Sequence, residues 1–293
     1  MNWNSPPSYF LLAGLTVSFT FLLLPSLSVT VQAIALGTAV AFLGLPHGAI
    51  DAYIAQRDGL WRTMGGLAVF AAIYILIALT VIGAWVLMPV LSLIAFLIIS
   101  AWHFGADADA RNRVERWLFG SLLLSLPSFF HPINVASLFE AISGASAVGL
   151  APILQILAPV AAIGLIAMLV RSLLGTPRRL ADIAIVSGLI LFAWVLPPLA
   201  YFAVYFCALH SPTHFRRVLR LVPPSERTGA LAQTAGFTAL TLIFAGIAFI
   251  LLANEVSMQQ STLQILFIGL AALTVPHMFL VDGICRSKLG EAK

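Results

Sequence analysis

Residues 64–106 read MGGLAVFAAIYILIALTVIGAWVLMPVLSLIAFLIISAWHFGA, with no Asp, Glu, Lys or Arg between Met64 and Ala106. A helix needs about 20 apolar residues to cross a hydrocarbon layer roughly 30 Å thick. The stretch is long enough for two crossings. Pro89 marks the boundary between them, because a prolyl nitrogen carries no proton for a helix interior. Helices are expected over 64–86 and 90–106. Working outward, similar apolar runs lie near 8–24, 28–46, 116–131, 150–170, 180–196, 198–214, 229–252 and 262–282. Breakers separate them: Pro25, Pro46, Pro132, Pro152, Pro177, Pro197–Pro198 and Pro223–Pro224. The segment 133–149, rich in Ser, Ala and Gly, reads as a surface helix or loop. The pattern predicts an all-α polytopic membrane protein, a bundle of about ten transmembrane helices (range 8–10) forming one domain over residues 1–293.

Composition agrees. The chain is 61% hydrophobic and 9% charged, with a mean hydropathy of +1.03, whereas soluble domains carry roughly 25% charged residues. The run 8–24 follows an uncharged start and lacks a small-residue cleavage site, so it reads as a first span and not a signal peptide. With both termini on one side, ten spans send all 15 basic residues to that side: Arg57, Arg62, Arg111, Arg113, Arg116, Arg171, Arg178, Arg179, Arg216, Arg217, Arg220, Arg227, Arg286, Lys288 and Lys293. The other side keeps Glu140 and Glu255. The positive-inside rule then places the N and C termini in the cytoplasm, with the chain in a cytoplasmic (inner) membrane and the lipid bilayer as its solvent. The same rule explains the pI of about 9.4 without nucleic acid. Cys207 and Cys285 form no CxxC and support neither a disulfide framework nor a thiolate site.

Five of the six histidines fall at the cytoplasmic ends of predicted spans. Gly44-Leu45-Pro46-His47-Gly48-Ala49-Ile50-Asp51 closes the second, and Ala101-Trp102-His103-Phe104-Gly105-Ala106-Asp107 the fourth. His210-Ser211-Pro212-Thr213-His214 closes the eighth, and Pro276-His277-Met278 lies just inside the end of the tenth. His131 sits at the opposite end of the fifth span and reads as structural. A lone histidine at a helix end is an ordinary headgroup-level residue. Five on one leaflet, from four helices, point instead to a metal centre, because imidazole is the commonest metal ligand and ionisable groups at membrane depth are costly unless they pair or do chemistry. His210 and His214 are i and i+4 and share a helix face. Asp51 and Asp107 each follow a histidine by four residues, where a carboxylate can accept the non-ligating imidazole N–H; pairing with Arg57 or Arg111 is the competing reading. Gly48 and Gly105 leave room for another backbone or a substrate to approach. The aromatic residues fit an interfacial belt, and those beside the histidines, Trp102, Phe104, Tyr205 and Phe206, are candidates for a substrate wall.

An imidazole set without thiolate suits Fe(II), Zn(II) or Cu(II). Open iron positions among lipid-facing helices favour oxygen chemistry on a lipophile. Three rivals are weaker. Di-iron membrane desaturases and hydroxylases carry more histidines, in several boxes. A b-haem carrier needs axial ligands on facing helices. A histidine-based transporter spreads titratable groups through the membrane depth, and the motif pattern shows no inverted repeat.

At these motifs the sequence resembles the Brp/Blh family, the bacteriorhodopsin-related membrane β-carotene 15,15′-dioxygenases. Leu45-Pro46-His47-Gly48-Ala49-Ile50-Asp51, Trp102-His103-Phe104-Gly105, His210-Ser211-Pro212-Thr213-His214 and Pro276-His277-Met278 match its signatures in order, so the resemblance covers roughly residues 40–285. It implies Fe(II) held by His47, His103, His210 and His214, with His277 near the site as an outer or substrate-side residue beside Asp51 and Asp107. It also implies cleavage of β-carotene by O2 into two molecules of all-trans-retinal, with a retinal-binding rhodopsin as a possible acceptor. Another carotenoid or lipid is the alternative substrate. Two features depart from the family pattern. The acidic residue after the second motif has two candidates here, Asp107 and Asp109, and Thr213 stands where the family carries a larger, often basic residue.

Overall fold

The structure is a computed structural model describing residues 6–107, 112–172 and 179–284. Asp109, Arg111, Pro177, Arg178, Cys285, Arg286, Lys288 and Lys293 lie outside the described residues.

All regular structure among the described residues is helical. In chain order the α-helices are α1 (Pro6–Leu23), α2 (Val29–Ala39), α3 (Leu45–Ala49), α4 (Asp51–Arg57), α5 (Met64–Leu87), α6 (Pro89–Phe104), α7 (Arg113–Phe130), α8 (Pro132–Ser143), α9 (Leu150–Ser172), α10 (Arg179–Val195), α11 (Pro198–Tyr205), α12 (Ser211–Leu221), α13 (Arg227–Leu252) and α14 (Met258–Met278). Local chemistry explains many boundaries. Thr63, Asn112 and Ser257 cap α5, α7 and α14 by accepting from the amides of Gly66, Glu115 and Gln260. Pro132 and Pro198 open α8 and α11, where a missing N–H costs nothing. Within the apolar helices, the hydroxyls of Thr16, Thr20, Thr80, Thr241 and Thr262 donate to the carbonyl four residues back, which satisfies a polar group where lipid offers no partner.

Each of the ten apolar runs forms helix, and among the described residues six stretches are long and apolar enough to cross a membrane: Val29–Arg57, Met64–Leu87, Pro89–Asp107, Ala145–Ile166, Arg227–Leu252 and Met258–Val281. The bent pair α7/α8 makes a seventh if counted as one span. Two shorter apolar helices cover Ser8–Leu23 and Ala181–Val195. The chain is a membrane protein. On α5, Val69, Ile73, Leu76, Leu79, Val86 and Leu87 are all exposed, a surface suited to lipid and not to water.

One expectation changes. Pro46 does not end a helix; the path continues through α3 and α4. The carbonyl a helical proline displaces is four residues back, here Phe42, and it lies in a π-helical turn, Val40–Gly44, whose wider turn takes up the defect. The stretch 133–149, expected as a surface helix or loop, is the helix α8, exposed at Ile133 and Glu140 and turned by 109° from α7, followed by a 3-10 segment, Ala145–Gly149. Val135, Phe139 and Ile142 anchor α8 in the interior.

The described residues group into two compact units. The first comprises the chain up to Gln32 with Pro89–His210; the second comprises Ala33–Met88 and the chain from Ser211. In the first, α7 packs against α6 and α9 through a buried stripe of Phe119, Leu122, Leu123 and Leu126. Gly120 is required there, because a Cβ would overlap the Ala101 carbonyl of α6. In the second, Ile50, Tyr53, Ile54, Trp61, Val218, Val222, Ala230 and Leu280 form a buried apolar cluster. That cluster joins α4, α12, α13 and the π-helical segment Phe279–Ile284 that follows α14.

Candidate metal centre

In the second unit three imidazoles come together from distant parts of the chain. His47 lies on α3, His214 on α12 and His277 in the last turn of α14. Ring centroids are 5.7 Å apart for His47–His214, 5.4 Å for His47–His277 and 5.1 Å for His214–His277. The planes are steeply inclined, by 80°, 81° and 75°. Each histidine stands one helical turn before a member of the apolar cluster: Ile50 after His47, Val218 after His214 and Leu280 after His277. Packing of those neighbours therefore sets where the imidazoles sit. Asp51, 2% exposed, places both carboxylate oxygens 2.9 Å from His277 Nδ1. The Tyr74 hydroxyl donates to Asp51 Oδ2 at 3.0 Å. His47 Nδ1 donates to the Gly44 carbonyl of the π-turn.

In the first unit His103, at the end of α6, faces His210 with centroids 4.9 Å apart. Asp107 Oδ2 accepts from His210 Nδ1 at 2.9 Å and from the Tyr205 hydroxyl. A second π-turn, Phe206–His210, separates Tyr205 from His210 by five residues. That is the repeat of a π-helix, so both side chains reach the same carboxylate. Phe206 stacks on His210 at 5.5 Å, and Phe104 meets it edge-on at 4.8 Å. Gly105 lets the backbone close on Arg116, whose carbonyl a Cβ would strike.

The structure thus brings His47 and His214 together with His277, and His103 together with His210. Asp51 and Asp107 hydrogen-bond histidines remote in sequence, His277 and His210, where the spacing suggested the ones four residues earlier. The competing arginine pairing of Asp51 fails as well, since Arg57 binds its neighbour Asp58 at 3.1 Å. Of the aromatic candidates, Phe104, Tyr205 and Phe206 are buried around His210. Trp102 is held apart from them. Its carbonyl accepts from Arg116 Nε at 2.6 Å, its ring lies 4.0 Å under the Arg116 guanidinium, and Trp117 packs beside it. A Cβ on Gly48 would meet nothing within 4 Å outside its own helix and chain neighbours, so no other backbone packs closely against it. His131 caps the bend between α7 and α8. Gly120 lies against Ala101, so His131 is roughly 20 Å farther along α7 than the level of His103. Tyr74 is absent from the motif pattern, yet a phenol inside an apolar span needs a partner, and that alone marks it.

The donor chemistry suits a divalent metal. Carbonyl and carboxylate oxygens can only accept, so the ring protons of His47, His210 and His277 lie on Nδ1. Each then offers a neutral Nε2 lone pair, the form in which imidazole ligates. An ion held by imidazole nitrogens at about 2.1 Å spaces ring centres by roughly 5 Å, close to the separations within both groups. Among the described residues no three His, Cys, Asp or Glu side chains already have their donor atoms arranged to hold an ion.

The family described as β-carotene 15,15′-dioxygenase matches residues 38–284, which include all five grouped histidines and both aspartates. A β-carotene 15,15′-dioxygenase from uncultured marine bacterium 66A03 is 35% identical over 262 residues, covering 87% of this chain and 94% of that protein. A probable β-carotene 15,15′-dioxygenase, Blh, from Halobacterium salinarum is 28% identical over 299 residues, covering 89% and 86%. No solved structure matches. With most of its length matched and each grouped histidine inside the match, the chain belongs to the β-carotene 15,15′-dioxygenase family.

Proposed function

We propose that this protein cleaves β-carotene at its central 15,15′ double bond, consuming one O2 and releasing two molecules of all-trans-retinal. The central carbon–carbon double bond breaks, and each of its carbons gains one oxygen as an aldehyde. The observation that carries the reading is the grouping of imidazoles in two sets, buried at His103, His210 and His277 and half-buried at His47 and His214, each set with an aspartate that orients one ring and a tyrosine that donates to the aspartate. Iron is the metal that suits them, held by imidazoles drawn from His47, His103, His210, His214 and His277. Bound iron would supply the O2 binding and redox capacity that these side chains lack.

The protein's own residues do the rest. Asp51 and Asp107 keep the ring protons on Nδ1 of His277 and His210 and raise the basicity of Nε2. Tyr74 and Tyr205 donate to those carboxylates and fix them. Burial of Asp51, His103, His210 and His277 limits water at the reacting carbons, which protects the cleavage from side reactions. The apolar exterior lets the polyene arrive from the bilayer. A carotenoid is nearly as long as the hydrocarbon layer is thick, roughly 30 Å, so its path runs obliquely and position along that path selects the bond cut. The reading sets the protein in the cytoplasmic membrane of a prokaryote, with its basic residues on the cytoplasmic side, and takes a retinal-binding rhodopsin as the acceptor of the product.

Purified protein in detergent micelles, loaded with Fe(II) and given β-carotene, tests this reading. Two retinals per β-carotene lost and per O2 consumed is the expected stoichiometry. Unequal aldehydes would move the cleavage off centre, and an unchanged substrate would reject the activity.

A further inference from the structure

We infer that Arg62, Arg216, Arg220 and Arg227, gathered on one rim of the second unit, bind the phosphate headgroups of anionic phospholipids. The geometry of α12 points there first. Phe215, Leu219 and Leu221 pack against the buried apolar cluster, and Val218 belongs to it. Arg216 and Arg220, one turn apart on the same face, are exposed. The other two arginines stand beside the same cluster. Arg62 follows its member Trp61, and Arg227 Nε donates to the carbonyl of its member Val222 at 3.4 Å. Both are exposed.

Arginines at the ends of spans can serve membrane insertion alone, and then they need only lie on one side and face water. The surroundings of these four argue for more. Arg62 precedes α5 by two residues and Arg227 opens α13. Both helices are long and apolar enough to cross a membrane, and both are exposed near their starts, at Met64 and Leu231. Acyl chains meet those apolar surfaces, so the headgroup layer meets the arginines at their feet. The rim is also strongly cationic. Asp58 and Glu226 are its acidic residues, against six arginines once Arg57 and Arg217 are counted. Asp58 accepts from Arg57 at 3.1 Å and Glu226 from the Tyr53 hydroxyl at 2.7 Å. The latter bond ties α4 to the turn before α13, which joins the two basic segments. Arginine suits phosphate because its planar fork can hold two oxygens at once. The apolar face of α12 is already covered by protein, so this helix meets the membrane through charge and not by burying itself among acyl chains. It also carries His214, two residues before Arg216. A headgroup held by Arg216 and Arg220 would steady the helix on which that imidazole stands.

Native mass spectrometry of the full-length protein in detergent, offered phosphatidylglycerol or phosphatidylcholine, tests the site by counting the lipid each sample retains. An arginine near an anionic surface contributes about a fivefold preference. Wild type is expected to retain phosphatidylglycerol in preference to phosphatidylcholine. Arg216→Gln/Arg220→Gln should lower that preference about 25-fold, and Arg62→Gln/Arg227→Gln by a similar factor. Arg113→Gln, at an exposed position of the first unit, should bind as the wild type does. Equal retention of both lipids by the wild type, or an unchanged preference in the double variants, would overturn the inference. A loss in Arg113→Gln as large as in the double variants would overturn it too, by making the effect one of overall charge. Displacement of the lipid by millimolar inorganic phosphate would assign the arginines to a free anion and reject the lipid. If one double variant is not recovered from membranes, the other decides by the same criterion.

Discussion

The two Tyr–Asp–His groups use the same parts but are assembled differently. In the first unit Tyr205 and His210 are five residues apart on one π-turn, and Asp107 arrives from the end of α6. In the second, Tyr74, Asp51 and His277 come from α5, α4 and α14, with Asp51 and His277 226 positions apart. Their company differs as well. His210 is walled by Phe104 and Phe206 and meets the imidazole of His103. His277 meets those of His47 and His214. The same three side-chain types are thus joined once across a single turn of helix and once by packing of three separate helices.

Substitutions can break or sharpen that comparison. The largest losses are expected from His47→Ala, His103→Ala, His210→Ala and His214→Ala, each of which should bring retinal below detection when pigments are extracted and chromatographed. Next come Asp51→Asn and Asp107→Asn. Each should reduce activity about 10–100-fold by freeing a ring, with metal content measured beside it. Full activity in either variant would show that its carboxylate does not orient a working imidazole. Backbone contacts offer a third comparison. Gly120→Ala forces a methyl into the Ala101 carbonyl and should cost about 1–3 kcal/mol or more of stability. Gly48→Ala meets nothing within 4 Å and should stay within about 0.5 kcal/mol; thermal unfolding in detergent reads both. Tyr74→Phe and Tyr205→Phe each remove one hydrogen bond to a carboxylate, worth about 1–3 kcal/mol, and should slow turnover less than the aspartate variants do. His131→Ala, far along α7, should leave retinal yield unchanged. An inactive but well-folded His131→Ala would show that the grouped histidines are not the whole of the machinery.

The helices were legible in the sequence because an apolar run long enough to cross a bilayer has few alternatives, and prolines at 89, 132 and 198 stand at helix starts. Pro46 misled because sequence gives no sign that a π-turn will absorb its missing amide. The histidines were legible from their motifs. Their partners were not. A spacing of four identifies residues on one helix face, but Asp51 turns toward α14, and only tertiary packing brings His277 there. Tyr74 carried a faint signal, a hydroxyl inside an apolar span, and its partner lies 23 positions earlier. Phe104, Tyr205 and Phe206 were singled out as substrate-facing because they flank histidines; the same adjacency buries them against His210.

The most direct test expresses this chain and its His47→Ala variant in cells that accumulate β-carotene and have no other source of retinal, at matched membrane levels. The account predicts retinal formed at the expense of β-carotene by the wild type and none by the variant. Undiminished β-carotene in cells with well-inserted wild-type protein would contradict central cleavage. Equal retinal from both proteins would contradict the imidazole centre.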